Sequence, residues 1–303
     1  MRPGQRAVVS VLLLAGLAAG CGPGDGPDAS PSSSSPASAS PPVPTLTPIE
    51  LPPPGPPTGK LLADLRQSSR DAALGRMEVW IGNDTRHDMT PTRIRYTDPR
   101  FRRPVAGERL RLNPSRSERG YPLTLPTRPV CGAHHGPARL SVTYGGRTVS
   151  LPVTDDNDIV ARYVASRCLE LAVERVAVLE FADQVPTDGT GEGATGTLTL
   201  LARPTGAAGH VLRIDSVGGT PLLGAAGPAW RPRVTVRGDG PVRRIELPVR
   251  PARCDDHVFM ESGGATAFLV SLHLDGRPGS LVVRMSPTGA RAAIGFARDS
   301  CGL

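Results

Sequence analysis

The chain has 303 residues, 39% of them apolar but only 4% aromatic, and a formal net charge of +7. That length holds two ordinary domains once the termini are discounted, and cores poor in Phe and Trp must be built from Leu, Val, Ile and Ala, which bury less area per residue. Lys60 is the only lysine, so the positive excess is an arginine bias rather than a nucleic-acid footprint. No nucleic-acid partner is expected; an unspecific attraction to anionic headgroups or wall polymers is.

Residues 1–20, "MRPGQRAVVSVLLLAGLAAG", read as an export signal: Arg2 and Arg6, an uncharged run from Ala7 to Ala19, then small residues. The run is too short to cross a bilayer, which takes about 20 apolar residues. Its end, "LAAGC", resembles a bacterial lipobox, in which small residues precede a cysteine that is diacylated and becomes the mature N-terminus. The resemblance implies lipidation of Cys21; Ala18 stands where lipoboxes most often have Leu. Ordinary signal cleavage, leaving Cys21 as an odd thiol, is the alternative. Each buried acyl CH₂ contributes about 0.8 kcal/mol, so two or three chains hold a protein on a membrane, and the membrane is the first expected partner. Residues 21–58 follow as a lipidated cysteine and a tether of Pro, Ser, Gly and Ala, too poor in large apolar side chains to fold. Random-coil scaling gives the tether a mean reach of about 30–35 Å.

From Gly59 onward short alternating runs are broken by Gly, Pro, Asn and Asp, which predicts many short strands. "MEVWIG" at 77–82 puts Met77, Val79 and Ile81 on one face and Glu78 and Trp80 on the other. "TRIRYT" at 92–97 opposes Ile94 and Tyr96 to Arg93 and Arg95. "RLSVTYGGRTVSLPV" at 139–153 reads as a hairpin through Gly145-Gly146. The script then returns in "GTLTLLARP" at 196–204, "HVLRIDSV" at 210–217, "RVTVRGDG" at 233–240 and "FLVSLHLDGRPGSLVVRM" at 268–285.

Helix signals are few. "DDNDIVARYVASRC" at 155–168 and its counterpart "PTGARAAIGFARDSC" at 287–301 each predict a short helix that delivers a cysteine. The carboxylates of "TDDND" at 154–158 are read as a cap for the first of these helices, with a calcium loop as the alternative. The expected fold is all-β, an internal duplication of two tandem immunoglobulin-like β-sandwich domains at 59–168 and 169–303. Each ends in a short helix, and "LELAVERVAVLEF" at 169–181 opens the second domain.

With Cys21 set aside, Cys131, Cys168, Cys254 and Cys301 form an even set, which suits an oxidising compartment. Four cysteines allow three connectivities. The duplication selects Cys131–Cys168 and Cys254–Cys301, because each copy holds one cysteine after its Arg-Pro run and one at its end. The loops closed span 37 and 47 residues, and chain entropy assigns each bridge about 4 kcal/mol. Seven of the ten extra residues fall in "MESGGAT" at 260–266, a lengthened surface loop.

"LPTRPVCGAHH" at 125–135 and "LPVRPARCDDH" at 247–257 repeat with Cys131/Cys254 and His134/His257 at the same 123-residue offset. Cys131 with His134, and Cys254 with Asp255, Asp256 and His257, have ligand-like spacing. Zinc needs three or four convergent ligands, and disulfide bonding removes the cysteines, so no metal or cofactor is expected. The histidines are read as turn-holding donors, and Arg128 and Arg250 as forks onto loop carbonyls.

The stretches "ADLRQSSRDAALGRMEVWIGNDT" at 63–85 and "RPARCDDHVF" at 250–259 resemble a group of actinobacterial lipoproteins without an established activity. The resemblance covers most of residues 59–303. It implies an exported, lipid-anchored protein and transfers no catalytic or binding residues.

No Gly-x-Ser-x-Gly elbow, P-loop, His-Glu-x-x-His run or dinucleotide glycine fingerprint is read in the chain, and no catalytic residue is assigned. Trp80 and Trp230 have the chemistry of sugar platforms, but a packed cation–π cluster of Trp80 with Glu78, Arg93 and Arg95 explains that face without a ligand. The expectation is a non-enzymatic binding or scaffolding protein on the outer face of a bacterial membrane, its partner an envelope protein or wall polymer. A metal-dependent envelope enzyme built on His134, His135 and His257, or a carbohydrate-binding module, is the alternative. Ligand and oligomeric state are not legible.

Overall fold

A computed structural model describes residues 55–133, 136–260 and 264–303. The export signal, Cys21, most of the tether, His134, His135 and part of the 260–266 insertion lie outside the described residues. The first half comprises β1 (Lys60–Arg66), α1 (Ser69–Ala73), β2 (Arg76–Asp84), β3 (Arg93–Thr97), β4 (Val105–Ala106), β5 (Ser117–Thr124), β6 (Arg139–Tyr144), β7 (Arg147–Pro152) and α2 (Ile159–Glu174). The second comprises β8 (Ala177–Phe181), β9 (Thr187–Asp188), a 3₁₀ turn at Gly191–Gly193, β10 (Thr195–Pro204), β11 (Val211–Val217), β12 (Leu223–Ala225), β13 (Val234–Arg237), β14 (Arg243–Pro251), α3 (Asp256–Met260), β15 (Ala267–Leu274), β16 (Arg277–Arg284) and α4 (Pro287–Cys301).

The strands form four antiparallel sheets. Their orders are β1-β2-β5 and β4-β3-β6-β7 in the first half, and β12-β14-β10-β8 and β13-β11-β15-β16 in the second. Period-2 alternation decides which face is buried. Met77, Val79 and Ile81 of β2 and Ile94 and Tyr96 of β3 are fully enclosed, and they join the inner rows of β5 and β6 in one apolar cluster between the two sheets. A second cluster is built the same way from β10, β11, β14 and β15 around Phe268, which meets Phe181 at 4.7 Å between ring centroids. Both long hairpins turn through two residues at positive φ, Gly145-Gly146 (51° and 74°) and Asp275-Gly276 (48° and 80°). That left-handed pair matches the strand twist.

The helices depart from expectation in extent. The Asp155 carboxylate does take the N–H groups of Ile159 (2.8 Å) and Val160 (3.1 Å) at the start of α2. The helix then runs on past Cys168 to Glu174, so residues 169–174, expected to open the second β region, continue it. The reason is packing. Ile159 and Val160 belong to the first cluster, while Val173 belongs to the second and Leu169 packs against it. One helix therefore serves both cores, and residues 55–303 form a single compact unit. At α4, Ser286 caps the Gly289 N–H (3.0 Å), Pro287 takes the first turn, and Gly302 ends the helix at φ 72°. The short α1 has no forerunner in the sequence reading. It is held by a capping box between Ser68 and Asp71.

Disulfides join Cys131 to Cys168 and Cys254 to Cys301, with Cα separations of 5.7 and 5.4 Å. Each bridge fastens a segment following an Arg-Pro pair to the helix that closes the same half.

Candidate functional site: a basic sheet face and its side groove

The twin Leu-Pro-x-Arg-Pro segments take different conformations. In the second half the segment is the end of β14, because β12 supplies a partner: Gly224 pairs with Arg250 and Leu223 with Pro251. The first half has no such strand among its described residues. There α2 satisfies the carbonyls with side chains one helical turn apart: the Tyr163 hydroxyl donates to the Pro126 carbonyl and Arg167 Nε to that of Thr127, both at 2.8 Å. The role foreseen for Arg128 thus falls to Arg167, and Arg128 is left exposed; Arg250 is exposed as well, on a strand whose backbone pairs with β12.

Beside this segment runs the loop "DPRFRRP", 98–104. Asp98 is enclosed with Arg100, whose Nε and Nη2 reach its two carboxylate oxygens at 2.8 and 2.6 Å, and it also takes the Tyr96 hydroxyl at 3.0 Å. Burial alone would raise the Asp98 pKa; the Arg100 guanidinium, the Arg100 N–H and the Tyr96 hydroxyl overcome it and hold the carboxyl below its ordinary value. Burial, with Asp98 adjacent, pushes the Tyr96 hydroxyl up. Phe101 is buried against Tyr96 and Tyr163, and the Val130 N–H donates to the Arg100 carbonyl at 2.8 Å. With Arg100 and Phe101 turned inward, Arg102 and Arg103 are presented outward.

These two loops line a groove of about 650 Å³ where the edge strands β4 and β5 meet, with Arg102, Arg103 and Arg128 among Thr124 and Thr127. It shares Arg102 and Arg128 with a neighbouring hollow of about 430 Å³ that reaches Cys131, Cys168 and Arg175. Ala106 also lines the groove and is the cross-strand partner of Arg95. The groove therefore continues into the outer face of β4-β3-β6-β7. On that face Arg93 lies opposite Thr143, Arg95 opposite Ser141 and Thr97 opposite Arg139, and β7 adds Thr148 and Ser150. The strands place no carboxylate there. Among the described residues none of Arg93, Arg95, Arg139, Arg102, Arg103 or Arg128 has an ion-pair partner. The two carboxylates in the hollows are engaged, Glu108 by the Thr124 hydroxyl (2.7 Å) and Glu174 by Arg167 (3.4 Å).

Sequence reading missed this surface, although a signal was present. Residues 59–168 carry 19 Lys and Arg against 11 Asp and Glu, whereas residues 169–303 carry 14 of each. The net positive charge thus belongs to the first half, which charge counted by half reveals and total charge conceals.

Other polar constellations are satisfied internally. The cation over Trp80 is Arg66, 4.3 Å from the ring centroid. The expected Arg93 and Arg95 belong to the other sheet. Arg66 is in turn forked onto Glu118 (2.8 Å twice) and bonded to Asp64 (2.7 Å), Trp80 Nε1 donates to Glu78 (2.9 Å), and the indole leans on Gly120. Trp230 is a core residue whose Nε1 donates to the Pro248 carbonyl at 2.8 Å. His257 lies exposed on α3, and Asp255 is taken by Arg253 (2.8 and 3.0 Å), which with the Val258 N–H holds that carboxyl below its ordinary pKa. A cluster that sequence spacing does not show joins His273 Nδ1 to Asp215 (2.6 Å) and Arg213 to the same carboxylate (2.7 Å). The His273 contact, then Arg213, lowers the Asp215 pKa. The glycines Gly191, Gly193 and Gly196 have dinucleotide-loop spacing but lead into strand β10, where that motif needs a strand-to-helix turn. Among the described residues no three His, Cys, Asp or Glu side chains converge as metal ligands, and no helix is long and apolar enough to cross a membrane.

Neither a family model nor a curated protein matches the chain. Solved structures give distant likenesses. Red sea bream transglutaminase matches at 11% identity and TM-score 0.21, over 75% of this chain and 31% of that one, so the chain spans about a third of its length. The calcium binding domain CBD12 of CALX1.1 matches at 12% identity and TM-score 0.20, over 70% and 76%. The BSP domain of a biofilm associated protein matches at 10% identity and TM-score 0.18, over 77% and 60%. Likenesses of this order carry no argument about fold or activity.

Proposed function

We propose that this chain is an extracytoplasmic binding protein, held on the outer face of a bacterial membrane through lipidated Cys21 and displayed on the Pro/Ser-rich tether, and that it acts by binding rather than by catalysis. Its folded part is two tandem immunoglobulin-like sandwiches. The matching strand orders of the two halves support that reading, with three-stranded β1-β2-β5 answering β8-β10-β14 and four-stranded β4-β3-β6-β7 answering β13-β11-β15-β16. Two disulfides fit an oxidising compartment.

The observation that carries the binding reading is the contrast between the surfaces. The Trp80 and His273 clusters pair their arginines with carboxylates, while the first half presents a strand face of arginines with no carboxylate and, beside it, a groove in which Arg102, Arg103 and Arg128 outnumber the one carboxylate, Glu108. Such a surface is costly through self-repulsion, and an anionic partner relieves it. Fractionation of cells labelled with a clickable fatty acid tests the anchor. Label and protein are expected in the membrane fraction, and Cys21→Ser is expected to lose the label and move to the medium. An unlabelled wild-type chain, or turnover of an envelope polymer by the purified protein, overturns the corresponding half of the reading.

A further inference from the structure

We infer that the basic surface of the first half binds a linear polyanion through its phosphodiester groups, the chain lying across the β4-β3-β6-β7 face and entering the groove along the β4 and β5 edges. The inference rests on the binding reading above and names its ligand class.

Four observations lead to it. The charge is segregated: the half that carries this surface is strongly positive and the other is neutral. Arginine is the cation throughout the chain, so its choice over lysine carries no information; its placement does. On the face, Arg93, Arg95 and Arg139 alternate with the hydroxyls of Thr97, Ser141 and Thr143. The surface is therefore made of guanidinium and hydroxyl donors, and guanidinium forks onto phosphate oxygens through two parallel bonds.

The arginines of the face are also spread along the strands, and those of the adjoining groove extend the row, so that the six do not converge on one point. Arg93 and Arg95, two residues apart on one strand, stand about 7 Å apart along it, an interval that a backbone with one phosphate per three-carbon unit spans when extended. The groove then continues the track through Arg102 and Arg128, which line both hollows, to Arg175. A repeating anion fits that layout, and a single small anion does not.

The surface lacks what a bilayer would use. Proteins that lie on membranes insert apolar side chains among the headgroups. The exposed large apolar residues here, including Leu62, Leu74, Val178, Leu269 and Val282, belong to neither the basic face nor the groove. The favoured ligand is thus a water-exposed polymer.

The test is calorimetric titration of the full chain with poly(glycerol phosphate) at two salt concentrations. Saturable binding is expected, with log affinity falling linearly against log salt as phosphate contacts release counterions. The exposed triple variant R93Q/R95Q/R139Q and the groove variant R102Q/R128Q are each expected to bind about tenfold or more weakly. R231Q/R243Q/R244Q, which removes the same charge from exposed positions of the second half, is expected to bind as wild type. Unchanged melting curves establish that all three variants are folded. Equal loss in the second-half variant, equal binding of polygalacturonate, tighter binding of single-stranded DNA of matched phosphate number, or preference for phosphatidylglycerol vesicles each overturns the inference. The titration is independent of Cys21 lipidation, so failure of the anchor and failure of the ligand assignment are told apart.

Discussion

The indole of Trp80 lies so close to Gly120 that a Cβ at position 120 would stand 2.8 Å from its Cε2 and Nε1 atoms and 2.7 Å from the Glu78 carboxylate. Glycine at this position is what lets the ring lie flat under Arg66. Gly120→Ala is expected to displace the indole, open the Arg66–Glu118 fork and cost about 1–3 kcal/mol, as overpacking does. Denaturant unfolding read by tryptophan emission checks it; an unchanged midpoint and spectrum would show that the ring is not held there.

Asp98 is fully enclosed beside Arg100, so removing one partner strands the other. Asp98→Ala is expected to cost about 3–5 kcal/mol, while the double variant Asp98→Leu with Arg100→Met recovers most of the loss. The sign with pH follows from the direction of the shift. The Asp98 pKa is lower in the folded state than the ordinary value of 3.8. Its contribution is therefore complete above that ordinary value and is lost as pH falls below it toward the folded-state pKa. Unfolding of wild type should show this acid loss, and the double variant should show less of it. Equal acid profiles would remove Asp98 from the account.

The two disulfides close loops of 37 and 47 residues, lengths at which chain entropy predicts nearly the same stabilisation, about 4 kcal/mol each. Replacing Cys131 and Cys168 by Ser, and separately Cys254 and Cys301, should give losses that agree within error in equilibrium unfolding. A large inequality would mean that one bridge acts through the native state instead of the unfolded chain.

Asp155 satisfies two N–H groups at the head of a helix that packs on both cores. Asp155→Ala is expected to cost about 0.5–2 kcal/mol. Because α2 serves both clusters, hydrogen exchange should rise at both ends of the helix, Ile159 and Val173 alike. Exchange confined to the first turn would show that the helix does not couple the two halves.

Much of this molecule is written locally. Alternation in "MEVWIG" and "TRIRYT" names the buried side chains of β2 and β3, and Gly145-Gly146 marks a hairpin, because strand faces and turns depend on neighbours one or two residues away. The end of α2 was not legible: "LELAVE" suits a strand as well as a helix, and only the second core, waiting for Val173, decides between them. The Trp80 cation was misassigned for a related reason. Alternation tells which face Arg93 occupies, but strand pairing decides which sheet it joins.

Sequence alone determined the cysteine pairing, the buried faces of β2 and β3 and the two long hairpins, since these follow from residue types, their order and their recurrence. Tertiary structure alone decided that one Leu-Pro-x-Arg-Pro copy is a strand and the other a loop, because backbone carbonyls take whatever donor the surrounding fold offers: β12 in one case, Tyr163 and Arg167 in the other. It likewise decided that arginines from β3, β6 and two separate loops share one surface, a grouping created only when the sheet brings together residues far apart in the chain.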